Sequence, residues 1–370
     1  MEHHFDILIV GAGPAGTGAA IELCREKDLS FALIDRDSFP RDKICGDAIP
    51  GPAFKEMVRI FEDHDILSKV EKGRKVRSTR VCNESREVMD IHWVLEAYNI
   101  PRLSFDDFLF QEAKRRGATI FEDQTIRSIT KTENGYRLTS DQQVNFSCQV
   151  LLAADGTNSF IRKQLAPHFD KDEKTVGLRA YYEGVGLSQA ANHIYYRKEL
   201  LGYFWAFPLG EDQWNIGYGV PDDRKFQGRG LKEEFDFFIS EIPELKKAFQ
   251  NAELQGRVMG HKLAAYSKKR AISGEGFMLC GDAAYLVDPV WGHGIDKAMI
   301  SGKVAAEVAV KAIRKGDTSA EQLQEYDQII YQKMGKELRK QYLGRKFFAN
   351  KNWIIEAVAP VLKLIDKRVK

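Results

Sequence analysis

The chain has 370 residues, more than a usual single domain, so two domains are expected. At 44% hydrophobic and 29% charged it is globular, and a net charge of +2 argues against a general nucleic-acid binder. Cys24, Cys45, Cys82, Cys148 and Cys280 are odd in number, widely spaced and form no CxxC pair, which suggests neither a disulfide framework nor a zinc site and fits a reducing, cytoplasmic setting. The opening Met-Glu-His-His-Phe leaves no room for a signal peptide, and no run of ~18 apolar residues is present to span a bilayer.

Phe5 to Val10 reads as a buried strand, and Gly11-Ala12-Gly13-Pro14-Ala15-Gly16 follows at once. A helix-like stretch from Thr17 to Arg25, a strand from Ser30 to Ile34 and then Asp35 complete the dinucleotide fingerprint of strand, glycine turn, helix, strand and acid. Gly11 permits the tight turn, Gly13 lets the backbone approach a pyrophosphate, and Gly16 lets the helix pack close to the strand. The helix N-terminus, with Pro14 and Ala15 in the turn before it, offers N–H groups and a positive dipole end to phosphates. Asp35, 19 residues after Gly16, is placed to accept from ribose hydroxyls. Alone, the motif admits either FAD or NAD.

Residues 36–52 form a long charged loop from Arg36 through Lys43, Ile44, Cys45, Gly46 and Asp47, and loops of this length inside a compact domain are usually functional. Cys45 is either a small half-buried hydrophobe or a thiol near a ligand, able to donate a proton. Lys43 is a solvated charge or a phosphate contact. A helix is expected over Ala53–Val70, a hairpin over Lys75–Val94, and a helix over Phe105–Arg116 with Ser104 as N-cap and Gly117 as C-cap. Strands follow at Thr119–Glu122, Thr125–Glu133, Tyr136–Thr139 and Gln149–Ala153, with Asn134-Gly135 as a hairpin turn.

From Lys174 to Val220 β-branched and aromatic residues dominate, including Tyr203-Phe204-Trp205-Ala206-Phe207-Pro208, and an antiparallel sheet is expected as a second domain. Alternation puts Tyr203, Trp205 and Phe207 on one face. Short helices and a strand near Leu254–His261 come next. The apolar run Gly276–Cys280 then leads into Gly281-Asp282-Ala283-Ala284, a loop from Leu286 to Gly294, and a long helix with small residues at Ala298, Ser301, Gly302 and Ala305. Asp282 can accept from sugar or ribityl hydroxyls, and N–H groups near Pro289, Gly292, His293, Gly294 and Ile295 can face the far end of a ligand. An extended ligand held at both ends suits FAD better than NAD. From Gln332 to Lys370 there are 11 Lys/Arg against 3 Asp/Glu with apolar residues interleaved. This stretch is either a C-terminal helix packed on the body or an amphipathic helix lying on an anionic membrane.

Gly11–Gly16, Ala154-Asp155-Gly156-Thr157-Asn158-Ser159 with Arg162, and Gly281-Asp282 through Asp288-Pro289 together resemble the FAD-dependent family that includes aromatic hydroxylases, flavin halogenases and geranylgeranyl reductases. The resemblance covers roughly residues 5–310 and implies that Asp155-Gly156 lies beside the FAD pyrophosphate and that Arg102, after Pro101, contacts the cofactor. Lys43-Ile44-Cys45-Gly46 and Tyr203-Phe204-Trp205-Ala206-Phe207-Pro208 are similar to signatures of the geranylgeranyl reductase group, in which the aromatic strand lines the pocket over the flavin. Where that group commonly carries a Gly-Glu-Gly-like run, this chain has Val290-Trp291-Gly292-His293-Gly294. Trp291 and His293 would then sit near the flavin's reactive face, with His293 a proton donor or a backbone hydrogen-bonding group.

The expected architecture is α/β: a Rossmann-like FAD-binding domain (1–75, 101–170 and 262–330), an inserted antiparallel β-sheet substrate domain (76–100 and 171–261), and a basic helical C-terminal segment (331–370). The expected activity is reduction of a carbon–carbon double bond in an isoprenoid or lipid-like substrate by hydride from flavin N5, with Cys45 or His293 as the acid and Tyr203, Trp205, Phe207 and Trp291 around the substrate. NAD(P)H or a ferredoxin-like protein would supply electrons. The alternatives are a monooxygenase or halogenase acting through a flavin hydroperoxide, and a flavin-binding partner protein without turnover. No metal is expected. The setting is cytoplasmic, with peripheral contact at the inner face of the membrane through the basic C-terminus.

Overall fold

The computed structural model describes residues 2–169, 175–197, 200–221 and 230–348. The chain opens with β1 (Glu2–Val10), α1 (Pro14–Leu23) and β2 (Phe31–Ile34), then a long loop carrying β3 (Ala48–Ile49), α2 (Gly51–Phe61), β4 (Arg74–Cys82) and β5 (Glu87–Asn99). Next come α3 (Arg102–Arg115), β6 (Thr119–Phe121), β7 (Ile126–Thr132), β8 (Gly135–Ser140), β9 (Asn145–Ala153) and α4 (Phe160–Leu165). β10 (Thr175–Glu183), β11 (Asn192–Arg197), β12 (Leu200–Gly210), β13 (Gln213–Pro221), α5 (Leu231–Glu241), α6 (Pro243–Ala248) and β14 (Glu253–Leu263) form the middle. β15 (Ser273–Gly274), β16 (Phe277–Leu279), α7 (Ile295–Lys315), α8 (Ala320–Ile330) and α9 (Lys336–Phe348) complete it.

One sheet runs β15-β16-β9-β1-β2-β6, with the β7–β8 hairpin joined to β9. β1 pairs in parallel with β2 on one side and β9 on the other, so the strand order reverses at its C-terminal end, where open α/β sheets bind ligands. Ile7, Leu8 and Ile9 of this central strand are wholly buried. α1 and α7 pack so closely that a Cβ on Gly302 would lie 1.9 Å from the Ala15 carbonyl oxygen; the small residues of α7 serve that approach.

The second sheet runs β14-β10-β13-β12-β11-β4-β5-β3. It is antiparallel except at β11–β4, which pair in parallel; the chain must cross from the hairpin through the first sheet before returning. Phe204, Ala206 and Ile216 point to one face, where Phe235, Phe238 and Leu245 of α5 and α6 cover them. The opposite face carries Trp205 and Phe207 and looks toward the glycine turn.

Three boundaries differ from expectation. The helix expected over residues 53–70 ends at Phe61, where Glu62 adopts a left-handed φ of 57°, and only a short 3₁₀ turn follows at Ile66–Lys69. The helix of Phe105–Arg116 starts earlier, at Arg102 with Pro101 as N-cap, so Ser104 lies inside its first turn and caps nothing. α8 continues through a π-turn at Tyr331–Gly335 into α9; the apolar-basic stretch 349–370 lies outside the described residues.

Candidate active site

The glycine turn is held by contacts that exclude side chains. Gly11 has φ 103°, and a Cβ there would meet the Ala154 carbonyl oxygen at 2.3 Å; one on Gly16 would meet the Gly11 carbonyl oxygen at 1.8 Å. Gly13 differs: the nearest atom to its Cβ position is Arg41 Nη2 at 3.9 Å, leaving open space over the turn. Gly13 caps α1, and Gly294 caps α7, with backbone alone, so the first N–H groups of both helices have no capping side chain. Two uncapped helix N-termini facing an open groove suit a ligand with phosphates at one end and an electron-accepting ring at the other, which fits FAD.

Asp35 is buried at the end of β2 and accepts from the backbone N–H groups of Ala12 (2.5 Å) and Asp37 (3.0 Å). Burial pushes its carboxyl pKa up, with Arg41 opposing. Arg36 is exposed and pairs with Asp37 at 3.2 Å. Asp155 Oδ2 accepts from Ile161 N–H at 3.2 Å while its buried Oδ1 has no partner, and Gly156 has nothing within 4 Å of its Cβ position. Asp282 accepts from Thr157 Oγ1 at 3.1 Å and lies 3.6 Å from Lys43 Nζ. Burial would raise the Asp282 pKa, but Lys43 and Thr157 bring it below the ordinary value.

A cavity of about 610 Å³ extends from this groove onto the second sheet. Lys43, Cys45, Gly46, Arg102, Asp282 and Pro14 line one end, and the turn from Pro289 through Trp291, Gly292, His293 and Gly294 to Ile295 forms a wall. Tyr203, Trp205 and Phe207 form the floor. The far arm is Val81, Met89, Ile91, Ile194 and Tyr196, with no ionisable group except the Tyr196 phenol. Gly11, Gly13, Gly16, Ala15, Asp35, Arg36, Asp155, Gly156 and Gly281 do not line it. They surround the turn and its supports instead.

The floor is shaped by glycine. Trp205 lies against Gly217 and Gly219 of β13, and a Cβ on Gly217 would sit 2.0 Å from its ring. Trp205 Nε1 donates to Asn215 Oδ1 at 2.8 Å, and Asn215 Nδ2 donates to the Cys45 carbonyl (2.8 Å) and to Asp47 Oδ2 (2.7 Å). Tyr181 donates to the same Asp47 oxygen at 2.8 Å, and Arg102 N–H to Asp47 Oδ1 at 3.2 Å. Asp47 therefore stitches the Cys45 loop to the sheet and to α3, in a left-handed conformation (φ 61°) unusual for a residue with a Cβ. Wholly buried, its carboxyl is pushed up to about 6 by desolvation, against the hydrogen bonds from Asn215 and Tyr181.

Arg102 is buried and forks onto Asp106 through Nε (2.6 Å) and Nη2 (2.7 Å). Burial opposes its charge, but Asp106 more than restores it. His293 lies on the opposite wall. Burial lowers its pKa despite Asp288 and Asp296, so the neutral imidazole is favoured. Tyr203 Oη donates to the Trp291 carbonyl at 2.6 Å, tying the floor to that wall.

Sequence reasoning missed Arg41, Asp47, Tyr181 and Asn215 as site residues. Arg41 spans Asp106 (3.0 Å) and Asp35 (3.9 Å) beside the glycine turn. The one available signal was Asp47 itself, a carboxylate two residues from Cys45 in a loop that must fold back over an apolar sheet. Among the described residues no His, Cys, Asp or Glu group could hold a metal.

The chain is similar to digeranylgeranylglycerophospholipid reductase 2 of Methanococcoides burtonii, 29% identical with 95% of this chain and 86% of that protein covered. It is similar to digeranylgeranylglycerophospholipid reductase of Methanoculleus marisnigri, at 27% with 100% and 96% covered. Among solved structures, a geranylgeranyl bacteriochlorophyll reductase-like protein from Thermoplasma acidophilum superposes with a TM-score of 0.82 at 22% identity, covering 97% of this chain and 91% of that one. The flavin-dependent brominase Bmp2 superposes at 0.78 with 23% identity, covering 99% and 92%. These two likenesses describe the fold. The profile described as FAD binding domain matches residues 4–333, so glycine turn, cavity wall and α7 all fall within one recognised unit: the chain belongs to the FAD binding domain family, with FAD as its cofactor.

Proposed function

We propose that this protein is an FAD-dependent reductase that saturates carbon–carbon double bonds of an isoprenoid or similarly apolar lipid. The observation that carries the reading is the continuity of the cavity. One passage joins the α7 N-terminus and Cys45 to an apolar arm formed by Val81, Met89, Ile91 and Ile194. The reductases named above support the same substrate class. Reduced FAD, when bound, supplies the hydride.

The remaining work falls to this chain. The apolar walls align the chain of the substrate and exclude water. Cys45 gives its Sγ proton to the second carbon of the double bond, and the guanidinium of Arg102, on the same stretch of cavity wall, stabilises the thiolate that remains. His293, held neutral by burial, shapes the wall rather than supplying the proton. The flavin unit comprises residues 1–75, 101–170 and 262–330, the substrate unit 76–100 and 171–261, and the basic tail 331–370. With one dinucleotide fingerprint in the chain, electrons arrive from a transient donor, NAD(P)H or a ferredoxin-like protein. The enzyme works at the cytoplasmic face of a membrane, in peripheral contact with it.

Anaerobic incubation of chemically reduced protein with a detergent-dispersed polyprenyl lipid tests the reading. Mass analysis is expected to show product heavier by pairs of hydrogens. Oxygenated or halogenated product, formed only when oxygen is admitted, would replace this reading with a monooxygenase or halogenase.

A further inference from the structure

β5 carries an apolar projection that the site leaves unused. Val76 of β4 pairs with Ala97 and Ser78 with His92, so β5 spends residues 93–96 where β4 spends only Arg77. The extra residues bulge outward. They include Trp93, Val94 and Leu95, exposed by 44%, 92% and 48%. Three consecutive exposed apolar side chains are not the scattered surface hydrophobes of an ordinary protein. Among the described residues no comparable run of adjacent exposed apolar side chains exists except Val290-Trp291, which is already part of the cavity wall.

The bulge adjoins the cavity. Ile91, two residues before Trp93, lines its far arm, and Ala48 of the strand paired with β5 lines the cavity together with Pro50, which follows that strand. Trp93 Nε1 donates to Thr79 Oγ1 at 3.1 Å, and Thr79 shares a sheet face with the cavity-lining Val81. The indole edge is thus satisfied within the protein while its ring faces outward, the amphipathic arrangement that suits tryptophan to a water–lipid boundary.

The strand opposite is cationic at its base. From Lys72 to Arg77, β4 and its approach hold Lys72, Arg74, Lys75 and Arg77 and no acid, whereas Arg80 farther along is paired with Glu87 and Glu244. The bulge's own Glu96 is paired with Lys75, and Arg77 opposite it is exposed. Alternation puts Lys75 and Arg77 on the same face as Thr79 and Val81.

We infer that the Trp93–Leu95 bulge is a membrane-docking element, which inserts into an anionic phospholipid bilayer with Arg77 beside the headgroups and opens the far arm of the cavity to lipid. A flat bilayer is the occupant because an apolar tip with cations at its base is complementary to apolar chains beneath anionic headgroups. The inference rests on the lipid-reductase reading for its purpose but not for its test.

The full-length protein is sedimented with vesicles of phosphatidylglycerol and phosphatidylcholine in equal parts, or of phosphatidylcholine alone. Wild type is expected to bind the anionic vesicles, and Val94→Asp to weaken that binding by about tenfold or more. Arg77→Glu is expected to weaken binding to anionic vesicles and to leave neutral ones unaffected. Leu254→Asp, an exposed apolar position on β14 at the other edge of the sheet, is expected to bind as wild type. Unchanged vesicle binding by Val94→Asp overturns the inference, as does wild type that binds no vesicles. So does a Val94→Asp protein whose oligomeric state, measured by light scattering, differs from wild type, since the bulge would then join copies of this chain. Turnover of detergent-dispersed substrate by Val94→Asp is expected to be unchanged. Failure of wild type to reduce that substrate would count against the reductase reading and leave the sedimentation result standing.

Discussion

Asp47 is a carboxyl with no route to water, and it sits two residues from the thiol to which we assign the proton. In the unfolded chain it titrates near 3.8; in the folded chain it titrates near 6. The folded state therefore holds the proton more tightly, so this group's stabilising effect is complete below pH about 4 and is lost as pH rises through about 6. The loss amounts to about 3 kcal/mol by neutral pH, from the difference between the two values. In Asp47→Asn this term vanishes, and thermal melts between pH about 4 and about 7 are expected to lose part of the wild-type decline. An unchanged slope would show that Asp47 does not titrate in that interval. Cys45→Ala is expected to bind FAD normally, by its visible absorbance, and to lose double-bond reduction by about 10²-fold or more; full activity would return Cys45 to a packing role. Gly16 and Asp35 stand out in the sequence because local spacing marks them as a dinucleotide fingerprint, whereas Cys45 stands out only through the resemblance to the geranylgeranyl reductase group. Asp47, Asn215 and Arg41 do not, since the contacts that bring them to the site, Asn215 to Asp47 across 168 residues and Arg41 to Asp106 across 65, form only when the elements assemble.

At the scale of elements, the site depends on how closely β12 and β13 approach. Trp205 lies flat because Gly217 and Gly219 have no side chains. Gly217→Val would place carbon 2.0 Å from the Trp205 ring and drive the indole into the cavity. Its Cβ would also meet the Leu178 carbonyl oxygen at 2.4 Å, so that variant is expected to be less stable by thermal melt and, in the fraction that folds, to lose apolar-substrate turnover far more than Gly219→Ala, whose Cβ has 3.5 Å to the same ring. Comparable kinetics in the two variants would mean that the indole does not form the floor. On α1, Gly16→Ala would put a methyl 1.8 Å from the Gly11 carbonyl oxygen and is expected to yield protein without bound flavin. The strands and the long α7 were legible because their apolar periodicity is strong. The start of α3 was misread because Ser104 has the chemistry of a cap, whereas Pro101 and the buried Arg102–Asp106 pair decide where the helix begins.

For the whole molecule, two sheets share one cavity. The first presents uncapped helix N-termini and a glycine turn at the strand-order reversal; the second offers a face cleared of bulk by glycine and floored by aromatics. An α/β sheet and an antiparallel sheet were legible in the sequence, but not their junction. The contacts that join them, Asn215 to Asp47 and Tyr203 to the Trp291 carbonyl, link segments with no common pattern. The central claim is that reduced flavin in this cavity delivers its electrons to an isolated double bond. Stopped-flow mixing of anaerobically reduced protein with a detergent-dispersed isoprenoid, followed at the flavin absorbance, tests it most directly. The expected result is reoxidation whose rate rises and saturates with isoprenoid concentration, with one double bond lost per flavin reoxidised. Flavin that stays reduced at every isoprenoid concentration, yet reoxidises at once when oxygen is admitted, would contradict it.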